Sequence, residues 1–281
     1  MRILFEPIKR IENRERVACL TIENGEDYYA REFLFNSIPF QSIPQDKDTL
    51  NFLQHFKGWV IETESPSFDT STCTLMDFRV SQQHGATFVY TMPLDERRAL
   101  VEYTLFTENL LEPEAYDQGL RDYVQQFLKL EHYSITEQEF GIIPMTNYSF
   151  PPGEGRIVNI GTTGGQTKAS SGYTFQYIQK NSQSILESLL YQGTPRIDPI
   201  HAGRFRFYDE VLLDVLKNRE LTGAAIFSRL FKRNPAQRIF RFLDNSSWFP
   251  QELLIMGSLP TMPFFRAARR VISARRANLQ P

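Results

Sequence analysis

The first part of the chain alternates apolar and polar positions with the two-residue period of half-buried β-strands. Residues 16–37 show this alternation on both sides of Asn24-Gly25, a dipeptide that strongly favours a hairpin turn. Residues 54–106 continue the β-rich pattern, which the charged tetrad DERR at 95–98 interrupts. The pattern therefore predicts a sheet with a second hairpin, whose turn lies at this tetrad.

Helical periodicity replaces this alternation in the second part of the chain. Residues 112–130 carry apolar side chains at helical spacing, with acidic residues early and Lys129 late, as the helix dipole favours. Residues 139–145 and 153–161 are predicted to be strands, and the second leads into a glycine-rich loop. A helix is predicted over 170–192, followed by further helices. Strands, then a strand–loop–helix, then helices indicate a mixed α/β (α+β) protein.

Composition narrows the class of partner and the compartment. The net charge of −2 and the pI near 6.1 argue against nucleic acid as the main partner. The aromatic content of 13% fits a protein that packs a large apolar ligand, and a Phe-rich core explains it equally. The four histidines have no metal-ligand spacing, so no metal site is predicted. Two cysteines without CxxC spacing and a charged N-terminus indicate a reducing, cytoplasmic location.

The C-terminal region has two features of proteins that lie on a membrane surface. The apolar stretch 253–265 is too short to span a bilayer and contains two prolines, but it suits a membrane surface. A basic run follows it, which suits an anionic lipid surface, although a solvated charged helix over a core is the more common explanation of such a run. The residues of the run are Arg266, Arg269, Arg270, Arg275 and Arg276.

The segment RALVEYTLFT at 97–106 places one carboxylate, Glu102, inside an otherwise apolar strand. On a strand, Leu100, Glu102 and Thr104 share one face. Burial among apolar neighbours raises the pKa of a carboxyl group, which suits a proton donor that works near neutral pH. The alternatives are an edge position in water and a buried ion pair, for which the candidate partners are Arg79, Arg97 and Arg98.

The segment GTTGGQTKASSGYTF at 161–175 is the second candidate site. Glycines follow a predicted strand, and two serines and a glycine are predicted to open the next helix. This arrangement brings backbone N–H groups close to an anion, such as the phosphate of a nucleotide cofactor. An ordinary glycine-rich connection explains the same pattern, and the segment matches neither the P-loop nor the GxGxxG pattern.

These motifs together resemble the lycopene cyclase family of carotenoid biosynthesis, the bacterial flavoprotein β-cyclases. The resemblance covers nearly the whole chain from residue 54 onward, in the family's order. It implies the C-terminal part of a fold like that of FAD-dependent aromatic hydroxylases and geranylgeranyl reductases, with an antiparallel substrate sheet and a helical C-terminal region. The matching segments are QHFKGWVIET, FDTSTCTLMDFR, FVYTMPLDERRALVEYTLF, GIIPM, GTTGGQTKASSGYTF and FLDNSSWFPQELLIMGSLPTMPFFRA.

The resemblance implies an activity, a cofactor and partners. Family members convert the ψ ends of lycopene to β-ionone rings, giving β-carotene by way of γ-carotene without net redox change. The implied cofactor is reduced FAD, kept reduced by NAD(P)H, whose charge stabilises a carbocation. Lycopene and related acyclic carotenoids are the implied substrates. The implied location is peripheral, on the inner face of the cytoplasmic membrane, with no nucleic-acid partner.

The resemblance also implies roles for particular residues. The family's Glu-(Glu/Asp)-Thr motif stands here as Glu102-Tyr103-Thr104, so Glu102 is expected to protonate the olefin. Tyr103 occupies the second acidic position, which leaves open whether one carboxyl group suffices. The positions expected to receive the flavin, as backbone donors or points of close approach, are Gly161, Gly164, Gly165, Ser171 and Gly172.

The family's opening strand, GxGxxG turn and helix, which hold the ADP half of FAD, have no counterpart in this sequence. We therefore expect a truncated chain or a separate N-terminal FAD-binding half, and no cyclised product or stoichiometric flavin from this chain alone. The expected domains are residual strands adjoining the FAD domain (1–44), a substrate-binding β-rich domain (45–150), a returning FAD-domain strand–loop–helix (151–200) and a helical cap (201–281).

Two other functions fit the same sequence. A redox flavoprotein of the same superfold, a reductase or hydroxylase, would keep Glu102 as a structural residue. A non-catalytic remnant would bind apolar ligands without a flavin. Flavin content separates this remnant from the two enzymes, and analysis of the carotenoid products separates the cyclase from the redox enzyme.

Overall fold

The computed structural model describes residues 2–39, 42–44, 49–197 and 203–277. The chain divides into two compact units, each assembled from separate stretches of sequence. Unit 1 comprises Met1–Thr49, Tyr148–Lys168 and Tyr173–Arg206. Unit 2 comprises Leu50–Asn147, Ala169–Gly172 and Phe207–Pro281. The four expected domains stay a prediction.

The secondary structure is the mixture of strands and helices that the sequence predicts. The strands of the described residues are β1 (Ile8–Arg14), β2 (Val17–Ile22), β3 (Asp27–Ala30), β4 (Leu34–Asn36), β5 (Asn51–Glu62), β6 (Thr74–Asp77), β7 (Ala86–Pro93), β8 (Arg98–Thr107), β9 (Ser134–Thr146), β10 (Gly153–Glu154) and β11 (Ile157–Asn159). The helices are α1 (Pro113–Tyr123), α2 (Phe175–Gln192), α3 (Gly203–Lys217), α4 (Gly223–Arg233), α5 (Ala236–Leu243), α6 (Phe249–Gly257) and α7 (Thr261–Ala277). The predicted mixed α/β class is confirmed.

Both predicted hairpins are present. β2 and β3 pair antiparallel around Asn24-Gly25, where Gly25 adopts a φ of +90° that favours glycine. β7 and β8 also pair antiparallel, and the side chain of Asp95 accepts hydrogen bonds from the N–H groups of Arg97 and Arg98 at 2.8 Å in the turn between them. The turn residues therefore set these two pairings locally.

The antiparallel sheet of unit 2 positions the first candidate residue. Its strand order is β6-β7-β8-β5-β9, so β8, which carries Glu102, is the central strand. In unit 1, β1, β2 and β3 form an antiparallel sheet, and β10, β11 and β4 form another in which β11 runs parallel to β4. The predicted antiparallel sheet is thus confirmed as a five-stranded sheet, and its role in binding substrate stays a prediction.

One face of the five-stranded sheet is covered by α1. The approach is close, because a Cβ atom at Gly119 would lie 2.6 Å from the ring of Tyr103. A π-helical turn, Val124–Leu128, extends α1 and adds to the same core. The buried core residues of this face are Trp59, Ile61, Val89, Val101, Tyr103, Leu105, Tyr116, Leu120, Tyr123 and Val124.

A buried polar network fastens α1 to this face. The ring of His55 is fully buried and hydrogen-bonds Tyr116 at 2.6 Å and Thr107 at 2.7 Å. Burial lowers the pKa of His55 to about 4, so the imidazole is neutral at physiological pH. His55 pairs with Leu105, which is three residues from Glu102 on β8. Because side chains alternate between the two faces along a strand, His55 and Glu102 lie on opposite faces of the sheet. His55 therefore has a structural role in the packing of α1 on the sheet.

The predicted helical C-terminal region is confirmed by α3 to α7. α4 begins with a side-chain cap, in which Thr222 Oγ1 accepts a hydrogen bond from the N–H of Ala225 at 3.2 Å. The buried face of α7 carries Ala267 and Val271, which belong to one hydrophobic cluster with Val211 and Val215 of α3. Within the described ranges, no helix combines the length and the apolarity needed to cross a bilayer.

Three arginines of the basic C-terminal run form ion pairs inside unit 2. Arg266 and Arg270 both bind Glu220 at 2.5 Å. Arg270 also binds Asp214 at 2.5 Å, and Arg275 binds Glu210 at 2.8 Å. These pairs tie α7 to α3 and to the residues that follow α3. The reading of the run as a charged helix over a core therefore accounts for these three side chains.

Two predicted elements differ from the structure. Residues 153–161 form the short hairpin β10–β11 instead of one strand, because Gly155 turns the chain at a φ of +58°. The helix predicted over 170–192 begins only at Phe175. Gly172 has a φ of +70°, which a right-handed helix does not accommodate. Ser170 and Ser171 thus lie in the turn before the helix, and the prediction that they open it is wrong.

Candidate functional site

Glu102 occupies the middle of the five-stranded sheet. It is buried, with 9% of its surface exposed. The strand register places Tyr90 of β7 on one side of it and Gly58 of β5 on the other. Because β8 is the central strand, the alternative of an edge position in water is wrong.

The ion-pair alternative for Glu102 is also wrong, because the three candidate arginines have other partners. Arg79 binds Asp77, its neighbour in the chain. Arg98 binds Asp95 at 2.8 Å. Arg97 donates a hydrogen bond to the backbone carbonyl oxygen of Glu64 at 2.7 Å.

The surroundings of Glu102 favour its protonated form. Burial is the main cause that raises its pKa from 4.5 to about 7, and the charge and hydrogen bond of Glu139 raise it further. The hydroxyl of Thr104 acts in the opposite direction, since it donates a hydrogen bond to Oε1 of Glu102 at 2.6 Å. A carboxyl group with this pKa holds its proton in a large fraction of molecules at neutral pH. It can therefore serve as a general acid.

Glu139 is a residue of the site that the sequence analysis did not single out. Gly58 pairs with Glu102 on β8 and with Glu139 on β9, so the three residues form one row across the sheet. A Cβ atom at Gly58 would lie 2.8 Å from both Cγ and Oε1 of Glu139. The glutamate side chain therefore fills the space over the glycine. A glycine inside a strand often marks such a close approach, and Gly58 is the sequence signal that indicates it.

Aromatic rings form a wall beside Glu102 on the same face of the sheet. Tyr90 lies directly opposite Glu102 in the register, and its ring meets that of Phe88 edge-on at 5.2 Å. Phe88 meets Phe106 at 5.1 Å, and Phe106 meets Phe227 of α4 at 6.0 Å. Edge-to-face contacts of this kind fix the rings in place. The wall thus runs from the carboxyl group to the helical part of unit 2.

An apolar cavity begins where this aromatic wall ends. Its volume is about 280 Å³, and Phe227 lines it as well as forming part of the wall. Most of the other lining side chains come from α3 to α7 and are apolar, among them Phe207, Leu212, Phe242 and Phe264. Such a lining suits a hydrocarbon ligand.

The structure places Gly161, Gly164 and Gly165 in a loop of unit 1. The N–H groups of these glycines are used inside the loop: Gly164 donates to the carbonyl oxygen of Ile160 at 3.1 Å, and Gly165 to that of Thr162 at 3.0 Å. Gly161 donates to Oε1 of Gln166 at 3.0 Å. These hydrogen bonds leave the three glycines a role as points of close approach, and contact with a flavin there stays a prediction.

A cavity with a mixed polar and apolar lining lies beside this loop in unit 1. Its volume is about 870 Å³, and its lining includes Asn36, Phe150, Asn159 and Thr163. The hydroxyl of Thr163 and the side-chain nitrogen of Gln166 are buried and have no hydrogen-bond partner among the described residues. Buried polar atoms of this kind need a partner, so the cavity suits a ligand with polar groups.

Ser171 and Gly172 belong to unit 2, together with Glu102. A Cβ atom at Gly172 would collide with Oε1 of Gln54 on β5. Gln54 pairs with Phe106, so its side chain lies on the same face as Glu102. The structure thus brings Ser170–Gly172 and Glu102 to the same face of the sheet. Gly172 contacts Gln54, which lies four residues along β5 from Gly58, the partner of Glu102.

Comparison with known proteins identifies the family. The family model described as lycopene cyclase protein matches residues 6–269. The chain belongs to the lycopene cyclase family. It is similar to a lycopene beta-cyclase of Pantoea ananas, with 38% identity over 78 residues that cover 27% of this chain and 20% of the relative. The resemblance that the sequence motifs indicate is therefore confirmed.

Comparison with solved structures gives two similar proteins with partial coverage. HpxO of Klebsiella pneumoniae, complexed with FAD and uric acid, has a TM-score of 0.48 at 14% identity and covers 86% of this chain and 66% of its own. A geranylgeranyl bacteriochlorophyll reductase-like protein from Thermoplasma acidophilum has a TM-score of 0.45 at 9% identity, with coverages of 93% and 65%. This member of the lycopene cyclase family thus spans about two thirds of each of these chains.

Proposed function

We propose that this protein cyclises the ψ ends of lycopene to β-ionone rings, giving β-carotene by way of γ-carotene, with Glu102 as the acid. One observation carries the proposal: a carboxyl group with a pKa of about 7 is buried on the central strand beside a wall of aromatic rings. Membership of the lycopene cyclase family supports the same substrate class.

The site supplies what an acid-initiated cyclisation of an olefin requires. Glu102 gives its proton to the terminal carbon–carbon double bond, and the resulting cation is attacked by a second double bond to close the ring. Loss of a proton from the ring restores neutrality, so substrate and product have the same composition and no redox change occurs. Tyr90 and Phe88 offer ring faces that stabilise a cation. Burial of the site keeps out water, which would trap the cation as an alcohol.

Reduced FAD is the cofactor that we propose, kept reduced by NAD(P)H. Its negative charge would stabilise the carbocation. The 870 Å³ cavity of unit 1 is our candidate for the cofactor site, because Thr163, which lines it, has a buried hydroxyl without a hydrogen-bond partner among the described residues. The side-chain nitrogen of Gln166, in the adjoining loop, is also buried without such a partner. Gly161 and Gly165 adopt φ values of +61° and +73°, which residues with a side chain rarely adopt, so the turns of this loop require glycine. The residues proposed to hold the cofactor there are Gly161, Thr163, Gly164, Gly165 and Gln166.

We predict that Gly164→Ala weakens flavin binding at least about tenfold, equivalent to about 1.4 kcal/mol. The added Cβ would collide with the backbone carbonyl oxygen of Asn159, which no change of side-chain rotamer relieves. Gly193→Ala, outside the loop, is the control, since nothing lies within 4 Å of its added Cβ and the substitution adds only the strain of a positive φ. Flavin fluorescence titration of the two purified variants checks this. Equal affinities would mean that the loop is only a connector.

The 280 Å³ apolar cavity of unit 2 supports a long hydrocarbon substrate. The aromatic wall joins this cavity to the surroundings of Glu102 through Phe227. We propose that part of the polyene lies along this path while one end reaches Glu102.

A membrane surface is the partner that we propose for α6 and α7. Several large apolar side chains on and next to these helices are more than half exposed, and such patches mark sites of contact with a membrane or a partner. The exposed arginines Arg269 and Arg276 lie on the same α7 and suit an anionic lipid surface. The exposed apolar residues are Trp248, Phe249, Leu253, Leu254, Met262 and Phe265.

The test of the proposed function is expression in a host that accumulates lycopene. We expect γ-carotene and β-carotene when the full chain is expressed with a GxGxxG-containing N-terminal segment of a family member, and we expect the protein in the membrane fraction. The same host with the full chain alone is the matched control. Flavin-dependent oxidation of NAD(P)H with no cyclised product in either arm would indicate a redox enzyme instead and contradict the proposal.

A further inference from the structure

We infer that Glu139 is the second carboxyl group of this site: across Gly58 it shares one proton with Glu102 and positions that proton for transfer. The inference rests on the proposed function, because it assigns a further residue to the same reaction. Glu139 acts through Glu102 and is therefore a positioning residue.

The geometry of three neighbouring strands supports this pairing. Glu102, Gly58 and Glu139 face one another in a single row of β8, β5 and β9. Any larger residue at position 58 would separate the two glutamates, because its Cβ would lie 2.8 Å from Oε1 of Glu139 and 3.0 Å from Leu100. The glycine thus leaves open the space between the two glutamate side chains.

The orientation of the neighbouring tyrosine explains why a second carboxyl group has to come from another strand. Tyr103 points to the face covered by α1, where its ring packs against Gly119. A side chain at position 103 therefore cannot reach the Glu102 face. Glu139 lies on that face, two strands away on β9, and supplies the carboxyl group that position 103 does not.

The two glutamates differ in their access to solvent, which gives each a distinct part in the transfer. Glu102 is buried and Glu139 is exposed. Like charges this close repel each other, so the charge of Glu139 favours the protonated form of Glu102. When Glu102 gives this proton to the substrate carbon, the pair is left with two negative charges. It then binds a proton again, either the one that the ring releases or one from water at Glu139.

Other charged groups on this face lie farther along the strands. Within β7, Tyr90 faces Glu102 directly. β9 carries Glu137 on the same face, one row beyond Glu139. Arg98 at the end of β8 and Glu62 at the end of β5 are opposite each other in the strand register. Each lies four residues along its strand from the row of Glu102 and Gly58. Arg98 is bound to Asp95.

The test is a direct pH titration of the Glu102 carboxyl group by carbon-13 NMR in glutamate-labelled full chain, with Glu102→Gln used to assign the signal. We expect Glu139→Gln to lower the pKa of Glu102 below about 7 while leaving it above the ordinary 4.5, because burial remains. Glu137→Gln is the matched control, an exposed glutamate two residues along the same strand, and should leave the pKa unchanged. Glu139→Asp, which keeps the charge at a greater distance, should fall between wild type and Glu139→Gln.

An unchanged Glu102 pKa in Glu139→Gln would overturn the inference, and so would an equal change in Glu137→Gln. The titration needs neither lycopene nor flavin, so a failure of the proposed cyclase function would not affect it. In an active enzyme, the pH above which cyclisation declines should move lower in Glu139→Gln and stay in place in Glu137→Gln. A residue with a merely structural role would lower the rate without moving this limit.

Discussion

Glu102→Gln should reduce cyclised carotenoid at least about 1000-fold, within the range that loss of a general acid produces. Glutamine matches the size of a protonated glutamate, and it can still accept the hydrogen bond from Thr104 and donate one to Glu139. It has no proton acidic enough to give to an olefin. Carotenoid products are measured by chromatography in the lycopene-accumulating host, with Glu137→Gln as the control. A variant that still makes β-carotene at the wild-type rate would remove Glu102 from the mechanism.

The same substitution should stabilise the fold at high pH, which separates loss of the acid from loss of structure. The folded state holds the Glu102 proton up to pH about 7, whereas an unfolded chain releases it near 4.5. Stability is therefore lost as the pH rises through this window. Glutamine avoids this cost, so Glu102→Gln should exceed the wild type by about 3 kcal/mol in unfolding free energy at pH 8 and by little at pH 4. Urea denaturation at both pH values measures the difference.

Gly172→Ala should destabilise unit 2 by about 3 kcal/mol, from the strain of a left-handed conformation and from overpacking. The φ of Gly172 is +70°, and the added Cβ would collide with the buried side chain of Gln54. The family resemblance implies a flavin contact for this glycine. The structure gives it a packing reason within the sheet that carries Glu102. Urea denaturation followed by circular dichroism measures the loss.

Gly193→Ala is the matched control for this prediction. Its φ is +71°, but nothing lies within 4 Å of the added Cβ, so it should pay only the conformational strain of about 1 to 2 kcal/mol. The double variant Gly172→Ala, Gln54→Ala removes the colliding side chain and should recover part of the difference. If Gly172→Ala and Gly193→Ala lose equal stability, the contact with Gln54 has no energetic weight.

The sequence was sufficient wherever the signal was local. The two hairpins follow from the turn residues at Asn24-Gly25 and at 95–98, and the helices of the C-terminal region follow from apolar spacing. The errors also have local causes. A single glycine at positive φ, Gly155, turned one predicted strand into a hairpin, and another, Gly172, delayed the start of α2. Sequence gives the presence of a glycine but not the sign of its φ.

By itself, the sequence determined the class of fold, the family motifs and Glu102 as the one carboxylate in an apolar strand. Only the tertiary structure decided that β8 is the central strand, that the three candidate arginines bind elsewhere, and that Tyr103 faces α1. It also brought Glu139 opposite Glu102 across Gly58. The physical reason is that strand order and register pair residues far apart in the chain. A one-dimensional pattern fixes which residues share a face of a strand, but not which strand lies beside it.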